Sequence, residues 1–165
     1  MWGFTHFVQI PTLILSLTGK TTSHKLEPKA CKFPVALALS SFLTKPFRDA
    51  IALNIGPDKW QRDQVRSAYK AAEGTNVKIF ISFDYSVFDC STASTTIEYF
   101  NEFKSSSSQF YYNGRPMLSS YAGSCLSSSE WRRMKAETGA YLMPFMWGLE
   151  GQFNDAWSFL DSWLW

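Results

Sequence analysis

The sequence is short of the residues on which metal and redox chemistry depend. In 165 residues it has two histidines, His6 and His24, and three cysteines, Cys31, Cys90 and Cys125. No two cysteines form a Cys-x-x-Cys pair, and neither histidine stands at a zinc-ligand spacing from them. No metal site and no cofactor are therefore expected. One disulfide and one free thiol are compatible with three cysteines, but which pair joins depends on the fold. An excess of one charge is also missing. Sixteen Lys and Arg against fourteen Asp and Glu leave a net charge of +2, with no basic stripe. That gives no footprint for nucleic acid and no attraction to an anionic membrane.

Other absences exclude particular chemistries. There is no Gly-x-Gly-x-x-Gly after a strand and no Gly-x-x-x-x-Gly-Lys-Ser/Thr, so no dinucleotide or nucleoside triphosphate cradle is expected. There is no Gly-x-Ser-x-Gly elbow, and neither histidine has the context of a serine-triad base. No uninterrupted apolar run is long enough to span a bilayer. The most apolar stretch, Met1–Thr18, is divided by Pro11. It has no Lys or Arg ahead of its apolar part and no convincing small-x-small cleavage site near Thr18–Thr22. It is read here as retained, with a strand over Phe4–Ile10.

What the chain does have is aromatic surface: seven Trp, seven Tyr and fourteen Phe, 17% in all. Flat rings suit core packing first and sugar stacking second. From Asp49 a βα rhythm is legible. Ile51–Ile55 predicts a strand. Gly56-Pro57-Asp58 turns into a helix, with Asp58 in position to cap and Trp60, Val65, Ala68, Tyr69 and Ala72 on one face; Gly74 stops it. Lys78–Asp84 is the next strand. Ser91 or Ser94 opens a helix carrying Ile97, Phe100 and Phe103, and Ser105–Ser108 reads as a solvated loop. Asn113-Gly114-Arg115-Pro116 signals a turn before a strand over Met117–Tyr121. Ser127 and Glu130 have the spacing of a capping box ahead of a helix with Trp131, Met134 and Lys135, ended by Gly139. Strands are predicted over Tyr141–Met146 and Phe159–Trp165.

This alternation predicts an α/β fold with parallel strands. Residues 1–48 follow it poorly, because Pro28, Pro34 and Pro46 break the pattern; one short helix over Val35–Thr44 is the only element read there besides the first strand. In such folds sites collect at the carboxyl ends of strands. The polar residues at those ends are His6, Asn54, Asp84, Ser119 and Ser120, with Trp147 nearby. Asp84, which abruptly ends the apolar run Ile79–Phe83, is the candidate catalytic carboxylate; the competing reading is an acid that caps its own loop. Candidate substrate-binding residues are His6, Asn54, Tyr85, Ser119 and Trp147. Trp157, Trp163 and Trp165 suit stacking and packing equally.

The ordered series of strands resembles a known family. Asp49-Ala-Ile-Ala-Leu-Asn-Ile-Gly56, Lys78-Ile-Phe-Ile-Ser-Phe-Asp84, Tyr112-Asn-Gly-Arg-Pro-Met-Leu-Ser-Ser-Tyr-Ala-Gly123 and Tyr141-Leu-Met-Pro144 are similar to the second to fifth barrel strands of glycoside hydrolase family 71, the fungal α-1,3-glucanases or mutanases. Phe4-Thr-His-Phe7 resembles the first strand and the Trp-rich end the sixth. The resemblance implies an incomplete TIM-like (β/α)8 barrel of about six βα units, with residues 49–165 supplying strands two to about six. It also implies α-1,3-glucan as the polysaccharide partner, glycoside hydrolysis as the reaction, and a secreted or cell-wall location. The family's Asn-Asp-x-x-Glu-Ser acids have no counterpart here: Asn154-Asp155 is followed by Ala156-Trp157. The chain alone is therefore expected to be inactive. Two other readings are a sugar-binding remnant without catalysis and an unrelated open α/β domain with a small ligand.

Overall fold

The computed structural model describes residues 13–16 (backbone only), 50–149 and 156–163. Five strands run parallel: β1 Leu13–Ser16, β2 Ala50–Ile55, β3 Lys78–Asp84, β5 Arg115–Tyr121 and β6 Tyr141–Pro144. The two-residue β4, Tyr111–Tyr112, pairs antiparallel with the start of β5. The spatial order is β1-β2-β3-β5-β4, with β6 on β5 as well. Helices α1 Lys59–Ala72, α2 Ser94–Phe103 and α3 Ser128–Thr138 follow β2, β3 and β5. Parallel neighbours need such crossovers because no tight turn can join them. The predicted α/β class with a parallel sheet is what these residues form.

The sheet is buried on both faces, which is why its strands read as apolar runs. Alternate residues Ile51, Leu53, Ile55, Ile79, Ile81, Phe83, Leu118 and Leu142 join Val65, Tyr69, Phe100, Trp131 and Met134 of the helices in one large core. The opposite face carries a smaller cluster: Ala50, Ala52, Phe80, Met117 and Met143. On this face the small Ala52 of β2 is paired with the large Phe80 of β3.

Several local expectations change in the fold. The strand beside β2 is Leu13–Ser16; the predicted strand Phe4–Ile10 and helix Val35–Thr44 lie outside the described residues. Trp60 is half exposed, not core, and Gln61 is buried in its place; the side chain of Gln61 accepts from Gly56 N. Asp58 is the N-cap of α1 but makes no side-chain cap bond. α2 opens at Ser94, one of the two serines expected there, though neither serine caps it. Its N-cap is Ala93, whose N–H donates to Glu130 Oε2 at 2.6 Å. The predicted capping box is accordingly half formed: Ser127 Oγ accepts from Glu130 N, while the Glu130 carboxylate serves the neighbouring helix. Ser108 and Gln109 are buried rather than solvated. Tyr69 OH donates to Gln109 Oε1 at 2.6 Å, and Gln109 Nε2 donates to the carbonyls of Phe110 and Met117.

No strand forms over the described part of Phe159–Trp165; residues 156–159 turn instead. The segment is held to β6 by one backbone bond, Ser162 N to Leu142 O, and by Asp161. The Asp161 carboxylate accepts from Leu142 N at 2.9 Å, from Lys135 Nζ at 2.9 Å and from Arg115 Nη2. A side chain thus satisfies the β6 edge where a strand was expected, at the end opposite the mouth.

Candidate functional site

Strand register assembles the polar residues. Asn54, Ser82, Ser119 and Met143 are cross-strand partners in one row over β2, β3, β5 and β6. Because side chains alternate along a strand, these residues share the face of Phe80 and Met117. That face therefore carries apolar Ala52, Phe80 and Met117 and, one step nearer the carboxyl ends, polar Asn54, Ser82 and Ser119. Asp84 lies one step further up, opposite Tyr121 on β5, and is the only acid on any described strand.

The two oxygens of Asp84 have different surroundings. Oδ1 accepts from Ser86 N at 3.0 Å and Ser86 Oγ at 2.5 Å, so one half of the carboxylate does cap its own loop. The Asp84 carbonyl also accepts from Val87 N and Phe88 N, which fixes the turn. Among the described residues Oδ2 receives a single long contact, 3.5 Å, from Asn54 Nδ2. Asp84 is 6% exposed. Beside it, Asn54 Oδ1 is buried and has no hydrogen-bond partner among the described residues. Two neighbouring residues thus carry acceptors with capacity to spare, and a buried acceptor left unmatched is costly. The arrangement is chemically suited to a ligand that brings hydroxyl donors.

The other predicted residues separate. Ser119 is buried, and its Oγ donates to Met143 O at 2.7 Å, joining β5 to β6. Ser120 points to the helix side, where its Oγ is buried and has no partner among the described residues. Tyr85 is also on the helix side: it is 3% exposed, shares a hydrogen bond with Thr96 Oγ1 and packs edge-on against Trp131. Burial pushes its hydroxyl far above the usual tyrosine range. Tyr85 is therefore not among the residues gathered at the mouth. Trp147 is 63% exposed in the turn after β6. His6 lies outside the described residues. Asp89, in the loop after β3, accepts from Ser91 N at 2.8 Å and Ser91 Oγ at 2.7 Å, which hold its carboxyl below the usual range. Among the described residues no three His, Cys, Asp or Glu stand together in a way that would hold a metal ion.

Two residues that sequence reasoning passed over belong to the same face. Tyr121 and Phe145 lie beyond Ser119 and Met143 on β5 and just after β6, with near-parallel rings 5.7 Å apart at 11°. Tyr121 is 42% exposed. The alternation Met117, Ser119, Tyr121 carried the signal, but only the register with Asp84 gives it meaning.

The loops around this mouth are tied. Cys90, after β3, and Cys125, after β5, form a disulfide. Just after β5, Ala122 has a left-handed backbone (φ 52°), and Gly123 next to it lies against Trp131. Gly123 N donates to Phe145 O, and Trp131 Nε1 donates to Gly123 O at 3.0 Å. A Cβ on Gly123 would collide with Ser120 Oγ and lie 2.9 Å from Trp131 Cζ2. A glycine is therefore required where β5 passes over the helix layer.

An α/β sheet with a carboxylate and exposed aromatics at its carboxyl ends is a familiar setting for carbohydrate enzymes, and the sequence comparison agrees. The family model of glycosyl hydrolase family 71 matches residues 47–165, and the chain belongs to that family. Among curated relatives, it is 38% identical over 78 residues to the glucan endo-1,3-alpha-glucosidase agn1 of Schizosaccharomyces pombe; the match covers 46% of this chain and 18% of that protein. It is 32% identical over 91 residues to the mutanase Pc12g07500 of Penicillium rubens, covering 54% of this chain and 20% of that one. The chain thus matches about one fifth of the length of these relatives. No solved structure matches it.

Proposed function

We propose that the mouth formed by β2, β3, β5 and β6 is part of an α-1,3-glucan site, and that the sheet is part of a (β/α)8 barrel. The carrying observation is Asp84. It is buried at a strand end in a glycosyl hydrolase family 71 chain, with one oxygen locked and the other presented beside the unpaired Asn54 Oδ1. The names of the two relatives support the linkage: one is an endo-1,3-α-glucosidase and the other a mutanase. The apolar inner face beneath the mouth supports the barrel, whose interior is filled by side chains.

Glycoside cleavage takes two carboxylates. Asp84 is one, and it stands alone on the described strands. A partner acid has to come from elsewhere, so this part of the chain acts as one wall of the cleft, binding and orienting sugar rather than cleaving it. Asn54 serves as a second acceptor, and Trp147, exposed above β6, as further contact surface. The disulfide supports a secreted or cell-wall location, because such bonds persist in oxidising compartments.

Co-sedimentation with insoluble α-1,3-glucan tests the proposal. The chain should bind, and Asp84→Asn should weaken binding at least about tenfold, the worth of a charged hydrogen bond. Absence of binding would overturn it. Release of reducing sugar by the chain, abolished in Asp84→Asn, would overturn the binding-only assignment and make Asp84 catalytic.

A further inference from the structure

We infer that Tyr121, backed by Phe145, is the stacking floor of a glucosyl subsite whose polar wall is Asp84 and Asn54. The inference rests on the glucan reading above and adds the surface that sets the plane of the sugar. Three observations carry it. First, Asp84 and Tyr121 are register partners on adjacent strands, so their side chains stand side by side on one face, about 5 Å apart at the backbone. Second, Tyr121 is 42% exposed at the end of a strand whose other inward residues, Met117 and Ser119, are buried. That leaves apolar ring surface in solvent at the carboxyl end of β5, where a ligand can reach it. Third, the ring is preorganised. Phe145 lies nearly parallel to it, Phe145 N donates to Ser120 O, and Phe145 O accepts from Gly123 N, so the backbone on both sides of Tyr121 is fixed.

The chemistry of a pyranose matches this arrangement. One face of the ring is a patch of C–H groups that packs on an aromatic plane. The rim is a ring of hydroxyl donors. Asp84 Oδ2, reached by Asn54 Nδ2 at 3.5 Å, and Asn54 Oδ1, without a partner among the described residues, are acceptors with capacity to spare. A sugar lying flat on Tyr121 turns its rim toward both. Few polar groups over an apolar floor is the usual build of a small-ligand site. The work is done by the Tyr121 ring and not by its hydroxyl.

The test is titration of the full chain with a soluble α-1,3-linked gluco-oligosaccharide. Tyr121→Phe should bind within about twofold of the parent, whereas Tyr121→Ala should bind roughly five- to tenfold more weakly, the worth of one aromatic contact. Parent binding that Asp84→Asn weakens and Tyr121→Ala leaves unchanged would overturn the stacking floor alone. A parent chain that binds no α-1,3-glucan would overturn both readings. Should Tyr121→Ala fail to fold, saturation-transfer NMR on the parent decides. Irradiating aromatic protons should transfer most strongly to the C–H protons of one sugar face, and uniform or absent transfer would overturn the inference.

Discussion

Breaking the Cys90–Cys125 disulfide perturbs the mouth most directly, because it joins the loop after Asp84 to the turn after Tyr121. The two cysteines are 35 residues apart. Closing a loop of that length removes chain entropy from the unfolded state worth roughly 4 kcal/mol at 25 °C. Against a total stability of about 5–15 kcal/mol for a domain this is a large share. Cys90 is only partly buried and Cys125 is exposed, so a small reductant reaches the bond without prior unfolding. Urea unfolding of the oxidised chain, followed by circular dichroism, should be compared with the reduced chain and with Cys90→Ser/Cys125→Ser. With a denaturant slope of about 2 kcal/mol/M, the midpoint should fall by about 2 M. Thiol titration of the oxidised chain in denaturant should find one free thiol, Cys31. Three reactive thiols, or a midpoint shift below roughly 0.5 M, would refute the reasoning.

Two further outcomes follow from the packing. Gly123→Ala should destabilise by roughly 1–3 kcal/mol, since its methyl would meet Ser120 Oγ and the fixed ring of Trp131; thermal melts check it, and an unchanged melting temperature would contradict the close approach. At Asp161, burial alone raises the carboxyl pKa, but Arg115, Leu142 N and Lys135 together outweigh burial and hold it below its ordinary value of 3.8. A depressed folded pKa gives stability that is present above the unfolded value and lost as pH falls through the folded one. Asp161→Asn should therefore cost about 1–3 kcal/mol at pH 7, with the difference from the parent closing below about pH 4; a difference independent of pH would refute the role of the charge.

Much of the fold was legible in the sequence because local patterns and burial agree. The runs over Ile51–Ile55 and Lys78–Asp84 are apolar on both faces, and the structure buries them on both faces. Asn113-Gly114 supplies the two positive-φ residues of the tight turn between β4 and β5. Two of the failures share a physical cause, which is competition from a distant partner. Glu130 has capping-box spacing, yet it caps α2, because Ala93 N offered an unsatisfied donor within reach. Trp60 stands nine residues before Tyr69, about half a turn out of phase at 3.6 residues per turn, so α1 exposes it and buries Gln61, four residues before Val65, instead. The aromatic tail was read as a strand, but Asp161 occupies the edge that a strand would have filled.

The candidate site divides in the same way. The sequence by itself determined that Asp84 ends a buried strand, since an acid following Ile79–Phe83 cannot lie in the apolar layer. It also determined the ordered strand series on which the family assignment rests. Only the tertiary structure decided which residues share Asp84's face. One residue's shift in strand phase moves a side chain to the opposite layer, so Tyr85, adjacent in sequence, is buried against Trp131, while Tyr121, 37 positions away, stands beside the carboxylate. Register across the sheet, which no single strand encodes, brought Asn54, Asp84 and Tyr121 together.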